Sequence, residues 1–269
     1  MIAPSLFISH GSPMFALEPG QLGPNLRAIG QSLRDIAAVL VVSPHWQTRG
    51  VRIGTNAAPE TIHDFGGFPP PLYQLQYPAP GAPTSAQDAA QLLAQAGFNV
   101  ALDERRGLDH GAWVPLRYLF PQADVPVFQV SLPQNIDAAG ALRLGQALAS
   151  LRERGVLVVG SGSLTHNLYE FRQAIRDPQY AQQFVDWVRD AVAAHDVEAL
   201  VDYRRRAPHA ERAHPTEEHY LPLLVALGAS TGTDAARLVE GGMTYGVLSM
   251  DSFAFGLPEP AATSPEHVA

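Results

Sequence analysis

The chain has 269 residues, of which 46% are hydrophobic, so it can bury a substantial core without disulfides. Its formal net charge is −8, which argues against nucleic-acid binding, because such proteins gather Lys and Arg on one surface. There is no cysteine, which excludes disulfides and thiolate metal sites and leaves His, Asp and Glu as metal ligands.

Short apolar runs alternate along the chain with longer amphipathic stretches, a pattern typical of buried strands and surface helices. In chain order, it predicts a strand at 5–9, a helix at 22–34, a strand at 38–43, a helix at 84–96, strands at 99–102 and 126–130, a helix at 137–154, a strand at 156–160, and helices at 178–194 and 217–227. Thr84, with Gln87 three residues later, predicts a capping box for the second helix. The alternation indicates an α/β fold, a single layered domain with a central mixed β-sheet flanked by helices.

Two segments depart from this pattern. Residues 59–83 are rich in Gly, Pro and aromatic residues, and so long a loop is usually functional, here as the wall or lid of a site. Residues 241–255 alternate like paired edge strands. We assign residues 1–257 to one catalytic domain and expect residues 258–269 to form a frayed tail.

The N-terminal residues show neither the basic region nor the apolar stretch of a signal peptide. No apolar run approaches the roughly 20 residues of a membrane span. We therefore expect a cytoplasmic protein that binds no membrane and is a monomer or a small homo-oligomer.

Histidines follow several of the predicted strands. His10, His45 and His166 each come a few residues after one, and His110 lies in a Gly-containing segment between strands. In open α/β sheets, ligands bind outside the carboxyl ends of the strands. Any one of these residues alone is most simply a histidine bonded to a backbone carbonyl. Three of them at one edge favour a shared metal, because neutral imidazole is the commonest metal ligand.

His219 follows Glu217 and Glu218 at the start of the last predicted helix, which Thr216 would cap. The helix dipole disfavours a protonated imidazole there but not a neutral, metal-bound one. The residues alone leave Glu217, Glu218 and His219 open as metal ligands. We expect His209 and His214 on the surface, and His63, in the aromatic loop, either in contact with a substrate or on the outside of that loop.

Eight stretches, in order along most of the chain, resemble the class III extradiol ring-cleavage dioxygenases, and particularly their DOPA 4,5-dioxygenase branch. They are Ser9-His10-Gly11-Ser12-Pro13, Ser43-Pro44-His45-Trp46, Asp64-Phe65-Gly66-Gly67-Phe68-Pro69, Tyr77-Pro78-Ala79-Pro80-Gly81, Gly107-Leu108-Asp109-His110-Gly111-Ala112-Trp113, Gly160-Ser161-Gly162, Thr165-His166-Asn167-Leu168 and Glu218-His219-Tyr220-Leu221-Pro222. Each stretch alone is weak evidence, and their order makes the resemblance specific.

The resemblance implies an enzyme that cleaves a catechol with O₂ and one divalent metal, Fe(II) for activity, with Zn(II) possible as isolated. It implies His10, His45 and His219 as metal ligands. His166 would be the catalytic acid/base and a possible fourth ligand, and His110 would be a second catalytic histidine that steadies substrate and oxygen. The residues expected to line a substrate pocket of aromatic-ring size are His63, Phe65, Trp46 and Trp113.

Two other functions use the same residues. A zinc hydrolase would take a zinc-bound water as nucleophile and His166 or Glu218 as base, although no His-Glu-x-x-His motif is present. A non-enzymatic metal-binding interaction protein would give no reason for both His110 and His166 beside the ligands. Activity on catechols under air, dependent on Fe(II), separates these alternatives from the dioxygenase.

Overall fold

A mixed sheet of eight strands forms the centre of the computed structural model, which describes residues 2–172 and 177–258. The predicted tail at 258–269 lies outside the described residues, except for Pro258. The strands are β1 (Ser5–Ser9), β2 (Ala38–Thr48), β3 (Val51–Gly54), β4 (Val100–Asp103), β5 (Val127–Pro133), β6 (Val156–Gly162), β7 (Ala236–Val239), β8 (Met243–Thr244), β9 (Leu248–Ser249) and β10 (Ser252–Phe255).

The strand order in the large sheet is β4-β3-β5-β2-β6-β1-β10-β7. The four central strands β5, β2, β6 and β1 are parallel, whereas β10 pairs antiparallel with both β1 and β7. β8 and β9 form a separate two-stranded hairpin. The predicted α/β fold with a central mixed sheet is therefore confirmed.

Helices connect the strands and cover the sheet. They are α1 (Leu22–Ser32), α2 (Pro70–Tyr73), α3 (Pro83–Gln95), α4 (His110–Leu119), α5 (Ala138–Leu148), α6 (Leu168–Arg172), α7 (Pro178–Ala193), α8 (Val197–Val201), α9 (Tyr203–Arg206), α10 (Ala210–Ala213) and α11 (Leu221–Ala229), with 3-10 turns at Pro13–Ala16 and Ala149–Arg154. Over the ranges that the structure describes, no helix is long and apolar enough to cross a bilayer.

Hydrophobic cores lie on both faces of the sheet because successive side chains of a strand point in opposite directions. In β2, Val39 and Val41 pack into one core, and Leu40 and Val42 pack into the other. Burial on both faces explains why the central strands are continuous apolar runs rather than alternating ones.

Helix α11 is buried along its whole length, which explains its apolar sequence. It passes so close to β6 that a Cβ on Gly160 would lie 1.9 Å from the carbonyl oxygen of Pro222. Glycine at this position therefore lets the helix approach the sheet. This close packing places the segment that precedes α11 at the carboxyl ends of the central strands.

Two predicted helix starts were wrong. The last helix begins at Leu221, not at Glu217, and the residues before it form a turn in which the Tyr220 N–H donates to the Glu217 carbonyl at 2.9 Å. Pro222 favours this later start because its fixed φ suits the first helical turn. Helix α3 begins at Pro83 with no side-chain cap, so Thr84 does not form the predicted capping box.

The segment 241–255 was only partly predicted. Part of it forms the β8–β9 hairpin, but β10 lies inside the sheet between β1 and β7 and is not an edge strand.

Candidate metal centre

Five histidine rings converge at the carboxyl ends of three adjacent parallel strands. His10 directly follows β1, and His45 lies in β2 where its register with β5 shifts between Ser43 and Gln47. His166 follows β6, and His110 begins α4. His219 lies in the turn before α11. The structure brings His10, His45 and His166 together outside the carboxyl ends of the parallel strands.

Three of these rings have the spacing of imidazoles around one ion. The ring centroids are 5.1 Å apart for His10 and His45, 5.5 Å for His10 and His219, and 5.2 Å for His45 and His219. Imidazoles bound to a tetrahedral ion through bonds of about 2.1 Å have centroids about 5.3 Å apart. The Nε2 atoms of His10 and His45 are 3.1 Å apart, so both are close enough to reach one ion.

Outer hydrogen bonds determine which ring nitrogen of His10 and His219 carries a proton. His10 Nδ1 lies 2.9 Å from Ser161 Oγ, and because this hydroxyl donates to the Gly111 carbonyl, its oxygen accepts from Nδ1–H. His219 Nδ1 donates to Glu218 Oε1 at 3.0 Å. Both Nε2 atoms are thereby left unprotonated, as in histidines oriented for metal binding by outer partners.

Nε2 of His219 is buried and has no hydrogen-bond partner among the described residues. A buried polar atom without a partner is costly, and a bound cation would remove that cost. The donor set consists of imidazoles, which suit divalent zinc, iron and copper. The residues present therefore fit a divalent metal ion.

Burial keeps these rings neutral. It lowers the pKa of His10 and of His219 well below the usual value, and neighbouring histidines lower both further. Burial, together with His110, lowers the pKa of His45 to about 4. At neutral pH the rings therefore offer lone pairs rather than protons, which is the state that binds metal.

His110 lies close to the same point. Its ring centroid is 4.0 Å from that of His45, and ligand atoms of His10, His45 and His110 lie within 4.8 Å of one another. Ligand atoms of His166, Glu218 and His219 form a second such group. His110 is therefore a candidate for the third position beside His10 and His45 by its ligand-atom distances, and His219 is one by its ring-centroid distances.

His166 stacks on His219, with centroids 3.4 Å apart and planes inclined by 12°. Burial lowers its pKa to about 4, although the nearby Glu218 carboxylate acts in the opposite direction. Its backbone N–H donates to the Ala213 carbonyl at 2.8 Å, which holds this loop against the segment leading to His219. His166 is thus a neutral base beside the candidate ligands.

A cavity of about 240 Å³ opens over the histidine cluster. Besides the five histidines, its wall is mainly apolar and contains Phe65, Phe68, Leu168, Phe171 and Leu248, with Arg172 as a charged member. A small apolar cavity with a few convergent polar groups is the usual form of a site for a small molecule.

Residues 4–255 match the family described as the catalytic LigB subunit of aromatic ring-opening dioxygenase. The chain belongs to this family. It is 39% identical to a 4,5-DOPA dioxygenase extradiol of Beta vulgaris, over 94% of this chain and 97% of that protein. It is 38% identical to a protein of the same description from Escherichia coli K12, over 94% of each.

A solved structure has a similar fold. The crystal structure of an uncharacterized protein from Escherichia coli K12 has a TM-score of 0.78 and 34% identity, over 94% of this chain and 100% of that one. The predicted resemblance to the extradiol dioxygenases is confirmed. This LigB-family chain is an aromatic ring-opening dioxygenase. The alternatives of a zinc hydrolase and of a non-enzymatic metal-binding interaction protein are therefore rejected.

The structure brings only one of the four predicted pocket residues to the cavity wall. Phe65 lines it, whereas Trp113 is fully buried behind it and donates from Nε1 to the Ile62 carbonyl at 2.9 Å. His63 packs against both rings, and its Nε2 is 2.9 Å from the Leu75 carbonyl. Trp46 is buried beside the Arg106 guanidinium. His63 and Trp113 therefore pack behind Phe65, and Trp46 does not line the cavity.

The sequence predicted His214 on the surface, but the structure shows that it is fully buried. Its Nε2 is 2.9 Å from the Leu164 carbonyl, and its ring packs against aromatic rings that include Tyr220. It therefore links the loop before His166 to the segment that carries His219.

Asp64 is a site residue that the sequence analysis did not single out. Its Oδ1 accepts from the His110 backbone N–H at 2.9 Å and lies 3.0 Å from His110 Nδ1, and its Oδ2 lies 3.7 Å from His45 Nδ1. Burial raises its pKa, but the hydrogen bonds and charge of His110 outweigh burial and lower the pKa to about 2. One ionised carboxylate thus orients His110 and places a negative charge beside His45 in this LigB-family site.

Replacing Asp64 with Asn should lower the metal affinity severalfold, less than the roughly 10–100-fold effect of losing a hydrogen-bonded outer carboxylate, because Asp64 lies 3.7 Å from His45 Nδ1 without a hydrogen bond. The amide keeps one acceptor for His110 but removes the negative charge beside His45. Competition with a chromophoric chelator measures the affinity. Asp88→Asn, which removes a surface carboxylate paired with Arg154, is the matched control. An affinity within twofold of the parent protein would show that Asp64 does not orient the ligands.

Proposed function

We propose that this enzyme cleaves a catechol outside its two hydroxyls, using O₂ and one Fe(II) ion held by His10, His45 and His219. The observation that carries the proposal is the pair of unprotonated Nε2 atoms, on His10 and His219, held in place by outer hydrogen bonds at the floor of the cavity. The named relatives, described as 4,5-DOPA dioxygenases, support a catechol with a polar side chain as substrate.

Fe(II) bound there would supply redox chemistry with O₂ and a positive charge, uncompensated by the neutral imidazoles, that favours ionised catechol oxygens. The chain's own residues bind the ring and manage its protons. Phe65 and Phe68 form an aromatic wall large enough to cover one catechol ring. Together with Leu248, this wall would exclude water from the bound ring.

His166 would accept the proton of a catechol hydroxyl at its unprotonated ring nitrogen, because it is neutral at the working pH. The nearby Glu218 carboxylate favours the imidazolium that results. His110 would hydrogen-bond the substrate through Nε2, since its Nδ1 is bonded to Asp64.

The stacking of His166 supports an acid/base role over a role as fourth ligand. A coordinating lone pair lies in the plane of its own ring. The His166 and His219 planes are nearly parallel and their centroids are 3.4 Å apart, so the in-plane lone pairs of the two rings run side by side and do not converge on one point. While the rings stay stacked, His219 would hold the metal and His166 would be left to accept and donate protons.

The proposal predicts that Fe(II)-reconstituted protein turns a catechol into a yellow ring-opened semialdehyde under air. The panel is DOPA, dopamine, caffeate, protocatechuate and plain catechol, added after anaerobic metal removal and Fe(II) loading, with absorbance as the readout. Zn(II)-loaded protein is the control and should be inactive, because zinc has no redox chemistry. No absorbance change with any catechol at confirmed iron occupancy would contradict the proposal.

The match over 4–255 supports residues 1–257 as one catalytic domain. We propose a monomer or small homo-oligomer, located in the cytoplasm, and neither nucleic acid nor membrane as partner.

A further inference from the structure

We propose that Arg172 determines substrate specificity by binding a carboxylate on the side chain of the catechol. This inference rests on the proposed function and deepens it. Arg172 is the last described residue of α6, and among the cavity-lining residues in the described ranges it is the one with a permanent charge. A guanidinium forms two parallel hydrogen bonds with a carboxylate, which makes it well suited to this recognition.

The spacing of residues in α6 explains why Arg172 lines the cavity. Leu168, Phe171 and Arg172 stand at positions i, i+3 and i+4, which share one side of a helix. All three line the cavity, whereas Tyr169 between them is 68% exposed to solvent. The ring of Phe171 is held in turn by Tyr245, at a centroid distance of 4.9 Å. The same side of α6 therefore offers two apolar contacts and a cation.

The acidic residue of this helix is bound elsewhere. Glu170 is buried, and its Oε1 accepts from Arg212 Nε at 2.7 Å. Arg212 also binds Asp177 at 2.9 Å. The helix thus directs its carboxylate to another arginine and its guanidinium to the cavity, which leaves the cavity wall positive at this point.

The two carboxylates that are hydrogen-bonded to the histidines are also occupied. Asp64 is bonded to His110, and Glu218 is bonded to His219. Neither belongs to the cavity wall. A catechol with its hydroxyls at the histidine cluster would direct a ring substituent along the wall, where Arg172 supplies the positive charge that a carboxylate requires.

The test compares substrates that differ in the charge of one side chain. These are 3-(3,4-dihydroxyphenyl)propionate, neutral 4-ethylcatechol and cationic dopamine. Arg172→Gln should raise KM and the anaerobic Kd for the propionate about tenfold, and change both values for 4-ethylcatechol less than twofold. Arg172→Lys should recover part of the loss, since it keeps the charge without the fork. Arg172→Glu should have a lower Kd for dopamine than for the propionate.

In the parent protein, added salt should bring the Kd for the propionate closer to the Kd for 4-ethylcatechol, because salt screens the exposed charge of Arg172. Arg143→Gln is the matched control: it removes an exposed arginine that lines a different cavity, and should leave both constants unchanged. Equal losses for the two ligands, no loss for the propionate, or the same loss in Arg143→Gln would each overturn the role of Arg172.

Calorimetric Kd values on the metal-loaded protein under argon separate this inference from the proposed function. If the parent cleaves none of these catechols but binds the propionate more tightly than Arg172→Gln does, ring cleavage is refuted and the carboxylate site stands. The opposite outcome is that the parent cleaves these catechols while the ratio of the Kd for the propionate to the Kd for 4-ethylcatechol is the same in the parent and in Arg172→Gln. In that case ring cleavage stands and the role of Arg172 is refuted.

Discussion

Replacing His219 with alanine is expected to lower the bound metal from about one ion per chain to a trace. The variant removes the buried Nε2 of a ring whose centroid lies 5.5 Å from that of His10 and 5.2 Å from that of His45. His110 also lies close to His10 and His45, but we assign it to the substrate. The loss should exceed the roughly 100-fold effect of removing an outer partner. His10→Ala and His45→Ala should behave in the same way. Elemental analysis after gel filtration, together with a chelator competition, gives metal content and affinity.

Two variants make this test specific. His209→Ala removes a surface histidine bonded to Gln183 and should keep the full metal content. His110→Ala should also keep its metal, because we assign His110 to the substrate. If His110→Ala loses the ion and His219→Ala retains it, the third ligand is His110, the other candidate by distance.

Replacing His166 with Gln is expected to reduce kcat about 10²–10⁴-fold, the usual contribution of a general acid or base. Glutamine keeps a polar side chain in the cavity but cannot take up a proton at neutral pH. Metal content and the anaerobic Kd for the catechol should change little, since we assign neither metal binding nor substrate binding to His166. Steady-state turnover, metal analysis and ligand titration on the same preparation provide the three values.

The combination of these values distinguishes the two roles of His166. Loss of turnover with metal retained identifies a proton-transfer residue. Loss of metal in parallel with turnover would identify a fourth ligand and would require His166 to leave its stack on His219. His209→Gln controls for the loss of a histidine elsewhere.

Local sequence patterns predicted much of this fold because their causes are local. The apolar run at 5–9 is a strand with those bounds, and the runs at 38–43 and 156–160 are the first parts of β2 and β6. Strands buried on both faces need continuous apolar residues, so the sequence pattern identifies such a strand before its neighbouring strands are known. The start of α11 was missed because the acidic residues before it resemble a first helical turn, while Pro222 begins the helix later.

Contacts between distant residues explain what the sequence analysis missed. Asp64 acts on a histidine 46 residues away, and no feature of its own segment indicates that contact. His214 lies in a polar segment, yet aromatic rings from other elements bury it completely. Trp113 was expected at the pocket because aromatic residues commonly line such sites, but helix α4 directs it into the core.

The sequence by itself determined the class of the sheet, the absence of thiolate ligands and the histidines that reach one edge, because periodicity, composition and the order of elements are properties of the chain. Only the tertiary structure decided which ring nitrogens are free, which rings stack and which side chains form the cavity wall. Those outcomes depend on hydrogen bonds such as those that His10 donates to Ser161 and His219 donates to Glu218. Such bonds orient each ring in three dimensions, and the first of them joins residues 151 positions apart that only the packed sheet brings together.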